Sequence, residues 1–140
     1  MKKSLDPGEW LKRADMDFRT AEDAVKDDAE ELADSICYLC QQSAEKYLKA
    51  FLLSRGWILK KIHDLNTLLA EAGKYDPSFS PLVDRVRKLY ECSMSAHYPL
   101  DNAADLTKAD ALSSSDTLRD LAGLIKTLMR KPASSAGQEA

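Results

Sequence analysis

The longest regular pattern of apolar and polar positions lies between Ile36 and Arg55 and predicts a long central helix. Its apolar residues recur at intervals of three and four, which gives a helix one wide buried stripe. The residues of this stripe are Ile36, Leu39, Cys40, Ala44, Tyr47, Leu48, Phe51 and Leu52. No Pro or Gly interrupts the run, and Gly56 suits the left-handed position that follows many helices. We therefore expect a bundle built around this helix, whose start the sequence allows as early as Glu30.

Capping residues predict a helix before the central one and a short helix after it. Asp6–Pro7 has the composition of a helix start, and the helix fades between Lys26 and Asp28. The residues expected to be buried on it are Trp10, Ala14, Phe18, Ala21 and Val25. Asp64 is a good cap for a short helix over Leu65–Ala72, with Gly73 as its stop.

Two more helices complete the predicted architecture. Ser80–Pro81 predicts the start of a helix over Leu82–Met94, which Ala96–Pro99 ends because the residue before a proline avoids the helical conformation. Its expected buried residues are Leu82, Val83, Val86, Leu89 and Tyr90. The last helix follows Thr107 and ends near Arg130, with a late start or a kink expected at Ser113–Ser115. The pattern predicts an all-α, up-and-down bundle of four long helices plus one short helix.

Length and composition indicate one domain that stays in the cytoplasm. The chain has 140 residues, 44% hydrophobic and 31% charged, so we expect a single helical domain over residues 1–131 and a disordered tail over 132–140. Trp57–Ile62 is expected to form a loop that tucks Trp57 and Ile58 against the bundle. No apolar run approaches the ~20 residues of a membrane span, and polar residues follow the start where a signal peptide is apolar.

Charge and cysteine content exclude some classes of function and leave others open. A net charge of -3 excludes a generally basic nucleic-acid-binding surface. The three cysteines fit reduced thiols better than a disulfide framework. Cys37 and Cys40 form a C-x-x-C pair, for which redox and zinc interpretations exist, with Cys92, His63 and His97 as the other available zinc ligands. We favour small buried residues that pack the bundle.

Other candidate chemistry is sparse. Two basic clusters offer phosphate contacts, although most such charges form solvated surfaces. The first cluster comprises Lys46, Lys49, Arg55, Lys60 and Lys61, and the second comprises Arg85, Arg87 and Lys88. No glycine-rich phosphate loop, Ser-His-Asp order or metalloprotease spacing is present in the sequence. His63 precedes Asp64 at the start of the short helix, and His97 lies beside Tyr98. For both histidines we favour local packing of a loop, with a ligand contact as the alternative, which for His97 is base stacking or a phosphate contact.

Three segments together resemble the HEPN family (the higher eukaryotes and prokaryotes nucleotide-binding domain). Cys40–Leu52 is similar to that family's Q-x-x-E-K-x-L-K-A helix, and Ile62–Leu65 contains its H-D-L motif. Ala96–Pro99 stands where many members have Ser-Arg-Tyr-Pro, with His97 in place of Arg. The resemblance extends from about Glu9 to Met129, and the order and spacing of the motifs make it specific.

The resemblance implies a helical homodimer that binds a nucleotide, RNA or a protein partner. Many bacterial members are thought to work with a minimal nucleotidyltransferase as a toxin–antitoxin-like module. The residues that the resemblance assigns to nucleotide or partner binding are Gln42, Glu45, Lys46, Lys49, His63, His97 and Tyr98. It implies no metal and no cofactor.

Some HEPN proteins are metal-independent ribonucleases that use Arg and His separated by four to six residues. The corresponding positions before the two histidines hold Gly56, Trp57 and Ile58, and Tyr90, Glu91 and Cys92, so the motif is absent. We therefore interpret the chain as a non-catalytic binding protein. The alternative is a ribonuclease that combines His97 with Arg85 or Arg87 across a dimer.

Overall fold

The computed structural model describes residues 5–97 and 106–131, and their only regular secondary structure is helical. These residues form five α-helices: α1 at Pro7–Lys26, α2 at Ala33–Ser54, α3 at Leu65–Tyr75, α4 at Val83–His97 and α5 at Lys108–Arg130. Short 3₁₀-helices occupy Glu30–Leu32 and Pro77–Leu82. The predicted all-α bundle of four long helices and one short helix is confirmed. The predicted tail at 132–140 lies outside the described residues.

Helix α2 is the centre of the bundle, as its apolar stripe predicts. It packs against each of the other four helices. Seven of its eight predicted stripe residues are at most 3% exposed, namely Ile36, Cys40, Ala44, Tyr47, Leu48, Phe51 and Leu52. Aromatic contacts join it to its neighbours, with ring centroids 4.9 Å apart for Phe51 and Phe79 and 6.5 Å apart for Phe18 and Tyr47. Burial of this apolar surface is the main source of the bundle's stability.

The predicted helix ends are mostly confirmed because short-range hydrogen bonds determine them. Asp6 accepts a bond of 3.0 Å from the Gly8 amide, and Asp64 accepts one of 2.8 Å from the Asn66 amide. Thr107 forms a reciprocal capping box with Asp110. These side chains satisfy amide groups that have no partner inside the first helical turn.

The sequence places the boundary between α3 and α4 incorrectly. Helix α3 continues through Gly73 and ends at Tyr75, because the stronger stop is Asp76, whose backbone is extended and whose side chain accepts from Ser78. Pro81 lies inside the 3₁₀-helix that follows, and α4 begins only at Val83. The helix predicted over Leu82–Met94 therefore begins one residue later than expected, and Ser80 is not its cap.

Helix α5 is continuous, without the late start or kink expected at its three serines. Ser114 and Ser115 are each 2% exposed, and the Ser114 hydroxyl lies 3.8 Å from the Cys37 sulfur on α2. Packing against α2 therefore outweighs the weak helix propensity of serine. At the other end of the central helix, α2 begins at Ala33, within the range that the sequence allows.

Two apolar residues expected in the core are exposed. Trp57 is buried as predicted, but Ile58 is 79% exposed. Val83 is 46% exposed at the first residue of α4. Among the described residues, no helix is both long enough and apolar enough to cross a membrane.

Candidate functional site

A cleft of about 380 Å³ lies between α2, α4 and the segment that leads into α3. Its lining combines aromatic, amide, carboxylate and imidazole groups. Helix α2 contributes Tyr38, Gln41, Gln42 and Glu45, helix α4 contributes Tyr90, Ser93 and Met94, and His63 comes from the connecting segment. The volume falls within the range of small-molecule binding sites. The α2 residues follow one another at helical spacing, so a single helix face provides half of the lining.

The base of the cleft is a buried ion pair. The Lys49 ammonium donates to Glu45 Oε2 at 3.0 Å, and their side chains are 4% and 9% exposed. The Lys49 Nζ also lies 5.6 Å from the centroid of the Trp10 ring, which covers it from α1. The sequence places both residues on a polar face of α2 between the apolar positions, and the cover provided by α1 explains why they are buried. Because each charge has a partner, the pair is tolerated away from water.

Hydrogen bonds join this carboxylate to the connecting segment and to two amides. His63 Nδ1 lies 3.0 Å from Glu45 Oε2. Gln41 Nε2 donates to Glu45 Oε1 at 3.4 Å and to the His63 carbonyl at 3.3 Å, while Gln42 Nε2 donates to Gln41 Oε1 at 2.9 Å. The network holds the segment before α3 against α2. Gln41 is not among the residues that the resemblance assigns to binding, but it belongs to the polar face of α2 that the sequence predicts as a lining, four residues before Glu45.

Two tyrosines and a methionine give the cleft its apolar walls. Tyr38 is 39% and Met94 is 41% exposed, and Tyr90 is half-buried. The Ser93 hydroxyl donates to the Tyr90 carbonyl at 2.7 Å. Aromatic faces of this kind can stack on a planar ligand. Sequence reasoning missed Tyr38 as a site residue, although it precedes Gln42 by four positions on the same face.

Lys46 does not line the cleft, although it belongs to the same motif as Glu45 and Lys49. Its ammonium pairs with Asp17 on α1. The neighbouring Tyr47 hydroxyl donates to Asp15, also on α1, and burial raises the pKa of Tyr47 well above its usual value. Lys46 therefore lies on the side of α2 that faces α1. Of the predicted binding residues with described side chains, the structure places Gln42, Glu45 and His63 in the lining and Lys49 beneath it.

The residues of the alternative nuclease site are only partly described. Helix α4 includes position 97, one turn beyond Ser93, whereas the His97 side chain and all of Tyr98 lie outside the described part of the chain. Arg85 pairs with Asp120 at 2.7 Å, and Arg87 pairs with Asp84 at 2.9 Å. These arginines precede position 97 by twelve and ten residues, which corresponds to about 18 and 15 Å along the helix. Joining either arginine to His97 would therefore require a second chain.

The cysteines are buried between helices. Cys37 and Cys40 are both 0% exposed, and burial raises the pKa of each thiol to about 12. Burial also raises the pKa of the half-buried Cys92. The thiols are therefore neutral near physiological pH, which disfavours the reactive thiolate of a redox motif. No cluster of His, Cys, Asp and Glu suited to a metal ion occurs within residues 5–97 and 106–131.

Comparisons with known proteins agree with the architecture around this cleft. The sequence model of the HEPN domain matches residues 8–130. The crystal structure of ST0689, an archaeal HEPN homologue, is similar with a TM-score of 0.68 and 25% sequence identity, over 92% of this chain and 99% of that chain. None of the curated proteins matches the chain. Since the family match extends from α1 to the end of α5, the chain belongs to the HEPN domain family.

Proposed function

We propose that this HEPN protein binds a nucleotide in the cleft between α2 and α4 and does not turn it over. The observation that carries the proposal is the construction of the cleft, in which two tyrosines flank a buried carboxylate, two amides and an imidazole. A nucleobase is planar and has a polar edge, so it can stack on Tyr38 or Tyr90 while its edge meets Gln42 and His63.

The distribution of unpaired cations near the connecting segment supports a nucleotide that enters with its base first. Among the described residues that line the cleft there is no Lys or Arg. Lys60 and Lys61 are exposed and precede His63 by three and two residues. In the proposed complex the phosphates stay outside the cleft, where these ammonium groups and water can neutralise them.

The non-catalytic part of the proposal has support from the sequence and from the geometry. The Arg–His spacing of HEPN ribonucleases is absent from the sequence. Glu45, the carboxylate at the cleft, is 9% exposed on its side chain and paired with Lys49, which makes it a poor general base. The proposed role is therefore recognition.

We further propose that the protein works in the cytoplasm as a homodimer with a minimal nucleotidyltransferase, in a toxin–antitoxin-like module. Membership of the HEPN family supports the dimer and this type of partner. Three unpaired cysteines suit a reducing compartment. Pull-down of a minimal nucleotidyltransferase encoded beside the gene tests the partnership, and failure to retain it at micromolar concentrations of both proteins contradicts this part.

Calorimetric titration with ATP, GTP, CTP and UTP tests nucleotide binding directly. We expect at least one of them to bind, and Tyr38→Ala to weaken that binding about tenfold because a stacking surface is lost. Tyr75→Ala is the matched control, since Tyr75 is 40% exposed, like Tyr38 at 39%, but lies on α3 and does not line the cleft. Absence of binding by all four nucleotides, or equal loss in the two variants, contradicts the proposal.

A further inference from the structure

The buried carboxylate fixes the direction of the hydrogen bonds around the cleft. An ionised carboxylate only accepts, so each group bonded to Glu45 must donate to it. The groups in contact with its two oxygens are the Lys49 ammonium, Gln41 Nε2 and His63 Nδ1. The Lys49 ammonium lies 3.0 Å from Glu45 Oε2 and forms an ion pair with this carboxylate.

Because Glu45 only accepts, it also determines how the Gln41 and Gln42 amides are oriented. Gln41 Nε2 faces two acceptors, Glu45 Oε1 and the His63 carbonyl, so its Oε1 faces Gln42 and accepts from Gln42 Nε2 at 2.9 Å. Turning either amide over would bring like groups together, two acceptors or two donors. Gln42 therefore keeps its nitrogen toward Gln41, and its Oε1 is the acceptor that this lining residue can offer to a ligand.

The imidazole is oriented in the same way. His63 Nδ1 carries its hydrogen toward Glu45 Oε2, so in the neutral ring Nε2 is an acceptor. The ring is 75% exposed at the edge of the cleft, which leaves Nε2 accessible to a ligand. Two residues on different segments thus offer acceptors, and the carboxylate between them determines both.

We propose that the cleft selects nucleobases that carry an exocyclic amino group and rejects their oxo counterparts. The inference rests on the proposed function and adds the class of base. An amino group donates to Gln42 Oε1 or His63 Nε2, whereas an oxo oxygen at the same place faces an acceptor and loses its hydrogen bond to water. A mismatch of this kind is costly because a polar group is left unpaired.

Nucleotides that differ in the amino or oxo group, and in the hydrogen on the ring nitrogen beside it, provide the test. At about pH 8, where an ordinary imidazole is neutral, ATP should bind about tenfold or more tightly than ITP, and CTP more tightly than UTP. Equal binding, or tighter binding of ITP and UTP, overturns the inference and leaves nucleotide binding in place. If none of these nucleotides binds, both the inference and the proposed function fail.

A substitution at the acceptor separates this selection from general affinity. Gln42→Met keeps the length of the side chain and removes its acceptor, so the ratio of ATP to ITP affinity should fall toward one. Asn66→Leu is the control, because Asn66 is an exposed amide on α3 that does not line the cleft, and its loss should leave the ratio unchanged. A ratio that is unchanged in the Gln42 variant as well contradicts the assignment of the acceptor.

Discussion

At the scale of single residues, the pairing of opposite charges allows α2 to bury two charged side chains of its polar motif. Glu45 and Lys49 lie one helical turn apart, where they form a 3.0 Å ion pair that α1 covers with Trp10. Moving one charge out of water costs several kcal/mol, and the partner charge with its hydrogen bonds offsets this cost. Removing one member should therefore destabilise the protein by more than the pair itself contributes, because the other charge would stay buried without a partner.

Removal of the Lys49 ammonium should show how strongly the stability of the protein depends on this pairing. Lys49→Met leaves the buried Glu45 carboxylate without its cation, and we expect the free energy of unfolding to fall by about 3 kcal/mol. Urea unfolding followed by circular dichroism measures the change. The double variant Glu45→Gln with Lys49→Met removes both charges and should recover much of the loss.

An exposed lysine provides the control for this substitution. Lys74 pairs with Glu71 at 3.4 Å, but its side chain is 70% exposed, so Lys74→Met should change stability by less than about 0.5 kcal/mol. If the Lys49 and Lys74 variants unfold at the same urea concentration, the buried pair does not have the proposed role.

At the scale of helices, two glycines whose surroundings leave equal room for a side chain differ in backbone conformation, since one is helical and the other is left-handed. Gly123 lies inside α5, whereas Gly56 follows α2 with a φ of +88°, and a Cβ added at either would meet no atom within 4 Å. Since packing is the same at both sites, the response to alanine reports the backbone alone.

The two alanine substitutions should therefore shift stability in opposite directions. Gly123→Ala should stabilise the protein by about 0.5–1 kcal/mol because alanine loses less conformational entropy in a helix. Gly56→Ala should destabilise it by about 1 kcal/mol because a Cβ disfavours the left-handed conformation. Thermal or urea unfolding of the two variants measures both changes, and shifts of the same sign would contradict the assigned backbone conformations.

The helices were predictable from the sequence to the extent that their signals are local. Asp6, Asp64 and Thr107 cap helices through bonds to residues two or three positions away, so the sequence contains both partners. Gly73 was misread as a stop because a better one, Asp76 followed by a proline, lies three residues later. Competition between neighbouring signals is the physical reason for this error.

The candidate site was less predictable because its contacts join distant segments. The motif on α2 identified Gln42, Glu45 and Lys49, and the H-D-L motif identified His63. What the sequence could not supply is that Trp10 covers Lys49 or that the Gln41 amide bonds the His63 carbonyl across 22 residues. Those contacts depend on which helix lies next to α2, so burial of the polar motif becomes visible only in the folded chain.

At the scale of the whole molecule, the aromatic residues that the sequence suggests for a contact between subunits are not all accessible. The sequence offers four aromatic residues as apolar surface for a contact between subunits, namely Trp10, Trp57, Tyr90 and Tyr98. Trp57 is 7% exposed within its own chain and is not available for an interface. Trp10 and Tyr90 are half-buried, and Tyr98 lies outside the described residues. Large apolar side chains away from the cleft between α2 and α4 do remain exposed, including Met16 at 61% and Leu112 at 49%.

These exposed side chains make association of two chains the expected state in solution. Apolar surface that one chain leaves in water can be buried by a second copy, and a two-fold pair is the commonest arrangement for such a contact. Sedimentation equilibrium at micromolar concentration should therefore give twice the chain mass of 15.6 kDa. Dilution should shift the average mass toward that of one chain, since the association is reversible. A mass of one chain at every concentration up to about 100 μM would contradict the dimer, because surfaces that are separate at that concentration associate too weakly for a stable pair.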